Sequence, residues 1–361
     1  MANSQRIRLI VFTGIVVALF VIIVLTSRVP QNVPAEFVSV PMPVLAAGPV
    51  KLRVAHVTNP RFPTLNSAQQ AVVLAKAKKL VQKNFNIEVE FYPPVELDIE
   101  GFFAMRKKSL DDEMRKRILD PQSLSATDRD NMRQGIYQTL LNYQNESGDV
   151  ADFARPYLTR PFVGDDLSAL ADALMTTLLT RLNSWREQTA NDGAPVLDGS
   201  MYNQWVWWDS IGYGELPYDV VITNQLVASA ETYAMDVHSC LRGGVSAGTT
   251  SYSQSARLRT YSFVTSFPML NDNRVLTELR GDEHYSDAQI SDYIAAILAH
   301  ELGHMLLHLG HPFGSESCLM SPTPLLKFRS WYQGLNPELC PLASQPQMTP
   351  GVAIIDYRPD W

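Results

Sequence analysis

Cysteine and net positive charge are both scarce in this chain of 361 residues. Three cysteines are too few for a disulfide scaffold and one short of a four-thiolate metal site, so at most one bridge closes and one thiol is left over. Any metal must then rely mainly on histidine and carboxylate. Thirty lysines and arginines stand against 37 aspartates and glutamates, a formal charge of −7. No net positive field attracts phosphates, and nucleic acid is not an expected partner. Charged residues make up 19% and hydrophobic ones 46%, which excludes a disordered, collagenous or acidic-tail protein and leaves enough apolar side chain for a full core.

Long hydrophobic runs are absent except for one. Arg6 and Arg8 precede a charge-free stretch from Leu9 to Leu25. It is slightly shorter than the roughly 20 residues that span hydrocarbon, and Ile7 with a snorkelling Arg8 extends it. Thr26 to Val29 offer no small-x-small cleavage site, which favours an uncleaved anchor over a removed signal peptide. The flanking arginines place the N-terminus in the cytoplasm and the remainder on the extracytoplasmic side, periplasmic or extracellular. Prolines 30, 34, 41, 43 and 49 then mark an extended tether. The expected organisation is an anchor over 1–28, a tether over 29–50 and a folded domain over 51–361.

Within that domain Lys51–Val57 alternates like a strand, Ala68–Asn84 reads as a helix, and Ile87–Tyr92 alternates again. Tyr218–Thr223 and Tyr261–Phe267 are further apolar strands. Between Ile87–Tyr92 and Tyr218–Thr223 a helical insertion is expected over about 95–215. It holds the pairs Asp111–Arg115, Asp112–Lys116 and Glu113–Arg117 of a solvated helix face, a second helix over Leu167–Trp185, and a Trp205, Trp207, Trp208 cluster that favours a hydrophobic plug over a stacking platform.

Four of the seven histidines crowd into His300-Glu301-Leu302-Gly303-His304-Met305-Leu306-Leu307-His308-Leu309-Gly310-His311. Ser286 and Gln289 form a capping-box pattern, and Gln289 to Leu309 contains no proline and one glycine, so a helix is expected here. His300 and His304 lie one turn apart on one face and can reach the same ion; Glu301, rotated about 100° away, can address a water on that ion without being a ligand. The helix is apolar nearly all round and should run through the core. A catalytic zinc needs three protein ligands and an open position. An ideal helix sets His308 roughly 12 Å along the axis from His300. His311 is the favoured third donor, because Gly310 can take the left-handed conformation that ends a helix. His308 after an earlier break, or Glu316 or Glu338 downstream, are the alternatives.

These residues resemble the metzincin clan of zinc peptidases, nearest its matrixin and archaemetzincin branches, whose pattern is H-E-x-x-H-x-x-G-x-x-H followed by a methionine turn. Two departures are visible: one residue more separates His304 from His311, and His308 stands near the usual glycine. Cys318-Leu319-Met320-Ser321-Pro322 is similar to the matrixin turn, making Met320 the candidate floor under the metal. The resemblance implies an α+β fold of metzincin-like zincin type: a mixed twisted sheet, a central zinc-binding helix and the large helical insertion, preceded by the N-terminal transmembrane helix. It also implies a peptide-binding edge strand upstream, for which Arg242–Gly248 is similar in position and smallness, a plain loop being the other reading. Cys318 and Cys340 are the candidate disulfide pair, leaving Cys240 free.

The expected function is a membrane-anchored zinc metallopeptidase acting on a peptide or protein substrate, with Glu301 catalytic and His300, His304 and His311 as metal ligands. The rivals are a zinc-stabilised binding or scaffold protein with an occluded cleft, and a gluzincin-type peptidase with a downstream glutamate ligand.

Overall fold

The computed structural model describes residues 48–105, 124–147, 150–197, 204–212, 216–229, 236–251, 261–281, 283–307, 309, 311, 316–321, 323 and 325–340. Among the described residues no helix is long and apolar enough to cross a membrane. The Leu9–Leu25 run, nearly all of the proline tether and the acid–base pairs at 111–117 lie outside them.

The domain is an α+β fold. Its main sheet has the order β4 (Val95–Asp98), β2 (Val54–Thr58), β5 (Val220–Thr223), β7 (Tyr261–Thr265), β6 (Gly248–Ser251). The first four strands are parallel, and β6 runs antiparallel to β7 at one edge, so the sheet is mixed. Alternation sorts the strands onto two cores. Val54, Val220, Ile222 and Val264 enter one, and Ala55, Val57, Val221 and Phe263 enter the other. Burial of both faces explains why β5 reads as a continuous apolar run rather than an alternating one.

The alternation of Lys51 to Val57 predicts one strand, and the structure divides it. β1 (Val50–Leu52) pairs in parallel with β3 (Val89–Phe91) in a separate two-stranded sheet. The break falls at Arg53, whose backbone N–H donates to Asp219 Oδ2 at 2.8 Å while its guanidinium grips the same carboxylate. The sheet therefore exchanges a ladder bond for a side-chain acceptor at this point.

Helix α1 (Ser67–Phe85) is held at its start by a full capping box, Asn66 with Gln69, and ends on a left-handed Asn86. Among its described residues the segment from 95 to 215 is mostly helical but does not begin so, because β4 lies within it and forms the sheet edge; three of the four residues of β4 are exposed, so it carries no burial alternation to mark it as a strand. After β4 come α2 (Ile99–Ala104), α3 (Ala126–Ser147), α4 (Val150–Ala154), α5 (Leu167–Arg186) and α6 (Gln204–Gly212). Asp166 caps α5 by accepting from Ser168 N–H. Trp207 is fully buried, stacked between Phe102 at 5.4 Å and Phe263 at 5.9 Å, which makes it a plug joining α2 and α6 to the sheet.

Downstream follow α7 (Val237–Leu241), α8 (Phe267–Leu270), α9 (Arg274–Arg280), α10 (Asp287–Leu307) and α11 (Phe328–Gly334). Helix α10 is the centre of the larger core, packed against α1 on one side and against β6 and β7 on the other.

Candidate metal centre

Two polar residues in the middle of α10, His300 and Glu301, are 5% and 4% exposed, a costly placement unless each has a partner. Both have one: the Leu319 carbonyl for His300 and the Thr250 hydroxyl for Glu301. His300 Nδ1 meets the carbonyl oxygen of Leu319 at 2.7 Å, and His304 Nδ1 likewise meets that of Leu309. A carbonyl only accepts, so both Nδ1 atoms carry the proton and both Nε2 atoms present lone pairs.

Those lone pairs converge with a third. Beyond Leu307 the chain returns, and His311 Nε2 lies 3.2 Å from His300 Nε2 and 3.0 Å from His304 Nε2, with 3.0 Å between the helical pair. The three histidines could hold a metal ion. A tetrahedral ion with bonds of about 2.0–2.1 Å spaces its nitrogens by about 3.3 Å, so the observed triangle fits with a small outward relaxation. Burial pushes the His300 and His311 imidazoles well below the ordinary histidine range and His304 down to about 4, with the neighbouring histidines adding to the effect at His300 and His311. Neutral imidazoles are what a cation requires.

Of the alternatives for the third donor, Glu316 and Glu338 are exposed and do not join the cluster, while His308 and Gly310 lie outside the described residues. The methionine is where the motif suggests: Met320 is fully buried, and a Cβ on Gly303 would overlap its Sδ and approach the Phe85 ring at 2.8 Å. Gly303 thus lets the turn press against the helix between His300 and His304. Cys318 and Cys340 are bonded to each other, fastening that turn to the segment after α11; Cys240 is free and buried.

Glu301 faces the edge strand. Its Oε2 accepts from the Thr250 hydroxyl at 2.7 Å, and a Cβ on Gly248 would stand 2.6 Å from its Oε1. Burial pushes the carboxyl up to about 8, opposed by the Thr250 hydroxyl and by Arg242. A cation bound nearby acts in the same direction as Arg242 and favours the carboxylate. The small-residue segment Arg242–Gly248 is the approach to the edge rather than the edge itself. Gly243 and Gly244 turn with positive φ, Ser246 N–H donates to Val227 O, and the strand proper starts at Gly248. Among the described strands β6 is the outermost on that side.

Sequence reasoning missed Thr250, which lies 51 positions from its partner, and also Asp236. The latter has a legible signal as the N-cap of α7, accepting from His238 N–H and Ser239 N–H. Neither a protein-family model, nor a curated protein, nor a solved structure matches this chain.

Proposed function

We propose that this protein is a zinc-dependent metallopeptidase of metzincin-like fold, anchored in a membrane by its N-terminal run with the domain on the extracytoplasmic side. The observation that carries the reading is the convergence of three Nε2 lone pairs within 3.2 Å beside a buried glutamate. A purely structural metal site has no use for that glutamate, whose burial is opposed by the Thr250 hydroxyl and the charge of Arg242. The antiparallel edge strand beside the ligand helix and the methionine beneath it support the metzincin likeness. The Cys318–Cys340 bond supports an oxidising compartment.

Zinc, when bound, supplies Lewis acidity, lowering the pKa of a water and polarising a carbonyl. The chain's own residues do the rest. His300 and His304 are fixed in rotation and tautomer by the Leu319 and Leu309 carbonyls, so their lone pairs are aimed before any ion arrives. Glu301 is the general base: with Oε2 tied to Thr250, Oε1 takes the proton from the attacking water and delivers it to the leaving amine. β6 offers its outer backbone groups to an extended peptide, which adds as a further strand, and Gly248 keeps that edge free of side chain next to Oε1.

Glu301→Gln preserves shape and leaves the histidines intact. It should keep full zinc occupancy by elemental analysis and lose at least ~100-fold in peptide cleavage, the lower end of what positioned acid–base catalysis contributes. Chelation should abolish wild-type cleavage and zinc restore it. Wild-type protein that is fully zinc-loaded yet cleaves nothing across a broad peptide library would favour a zinc-stabilised binding protein. Undiminished cleavage by the Glu301→Gln variant would remove the mechanism.

A further inference from the structure

The three candidate ligands are not equally supported. His300 and His304 sit on α10 and have carbonyl partners behind them, whereas His311 lies beyond the helix. What stands behind His311 is a second imidazole. His238, on α7, is 4% exposed and sets its ring edge-to-face against that of His311, with centroids 6.3 Å apart. His238 is in turn enclosed by Phe153 at 5.2 Å and Tyr143 at 6.4 Å. Both aromatics belong to the helical insertion, Tyr143 on α3 and Phe153 on α4.

A carboxylate ties these groups together. Asp236 Oδ2 accepts from the His238 backbone N–H at 2.9 Å and lies 3.2 Å from His238 Nδ1, while Asp236 Oδ1 accepts from the Tyr143 hydroxyl at 2.6 Å. Asp236 also interacts electrostatically with His311 itself. The same short helix is held from the insertion a second time, because Arg181 on α5 donates to the Leu241 carbonyl.

We infer that the insertion is a wall of the metal centre: Tyr143 fixes Asp236, Asp236 fixes His238, and His238 holds the ring of His311 in ligating orientation. Metal-ligating histidines depend on such outer partners for orientation, and their loss typically lowers affinity 10- to 100-fold. Tyr143, Asp236 and His238 are positioning residues, acting on the metal through His311. The affinity of the site for its ion then depends on the insertion. This inference rests on the metal reading above.

The test is metal affinity of the full chain, measured by chelator competition with zinc, together with the visible absorption of the cobalt(II)-loaded protein. Asp236→Asn retains an oxygen to cap α7 but loses the charge, and should bind zinc about 10- to 100-fold more weakly. Tyr143→Phe removes one hydroxyl and should weaken binding by a smaller factor in the same direction. Both should alter the cobalt spectrum and lower zinc affinity by more than the shift of their metal-free thermal midpoints accounts for. Unchanged zinc affinity and cobalt spectrum in both variants would overturn the inference and leave the peptidase reading standing. Affinity that falls only in proportion to the metal-free midpoint, with a wild-type cobalt spectrum, would overturn it equally. A wild-type chain that binds neither zinc nor cobalt would end both readings.

Discussion

Helices α10 and α5 have nearly the same length, 21 and 20 residues, yet 15 residues of α10 are buried against seven of α5. The seven in α5 are Leu170, Ala171, Leu174, Thr177, Leu178, Leu182 and Trp185, a stripe of helical period, and Ala169, Asp172, Thr180 and Asn183 face solvent. Such a helix declares its own orientation, because one face must be hidden and the other must not. Helix α10 declares none. Past its first turn it is enclosed on every side, so which residues look toward β6, toward α1 or toward the metal site is decided by the neighbours. Its informative positions are the polar exceptions, His300 and Glu301, each with a partner supplied by a distant part of the chain. The contrast is between a helix stabilised by one apolar face and a helix whose enclosure serves the groups embedded in it.

Metal addition sharpens this contrast most. Zinc free at about 1,000 times its dissociation constant should stabilise the chain by about 4 kcal/mol, because the ion binds the folded triad and not the unfolded chain. A thermal midpoint indifferent to zinc would detach the histidines from any metal role.

In α5, Leu178→Ala should cost about 3 kcal/mol through the cavity it leaves, in metal-free and metal-loaded protein alike, with zinc affinity unchanged. A fall in zinc affinity there would count against this contrast, since the holds of the insertion on α7 named above run through Tyr143 and Arg181, outside the stripe. In α10, Gly303→Ala should cost about 2 kcal/mol by overpacking. Unlike the α5 variant it should also weaken zinc binding, because the new methyl displaces Met320 from beneath the two ligand histidines. Paired melting curves and chelator titrations distinguish the two.

The smallest effect is expected at the exposed pair of Arg274 with Glu187, the C-cap of α5, at 3.4 Å. Arg274→Ala should change the free energy of unfolding by less than about 0.5 kcal/mol, as solvated ion pairs usually do. A larger loss in a denaturant titration would mean that the end of α5 is held by more than its apolar stripe.

The differences in legibility follow from distance along the chain. The His300–His304 pair was readable because four residues is one helical turn, and His311 because the helix had to end near Gly310. Helices α1 and α5 were readable from periodicity, and Cys318 with Cys340 was the candidate pair because the two close a short loop after the zinc-motif helix. Strand β4 was not, since it is short and largely exposed, and its identity lies in its ladder with β2. The division of β1 from β2 was equally hidden, because Asp219, which causes it, lies 166 residues away. Thr250 and Tyr143 gave no local sign either. A threonine in a strand and a tyrosine in a helix are ordinary until the fold sets one against Glu301 and the other against Asp236.

The sequence alone therefore determined what depends on a few consecutive turns: an α+β chain, a helix with two histidines on one face and a carboxylate on another, and a third histidine past its end. The tertiary structure decided what depends on convergence. It selected His311 over the downstream glutamates, supplied the Leu319 and Leu309 carbonyls that set the tautomers, made Gly248–Ser251 the edge, and carried the insertion to the third histidine through Tyr143 and Asp236. The physical reason is that local patterns act through backbone geometry, which the sequence carries residue by residue. Orientation of a buried polar group is set instead by partners that become neighbours only when the core has closed around them.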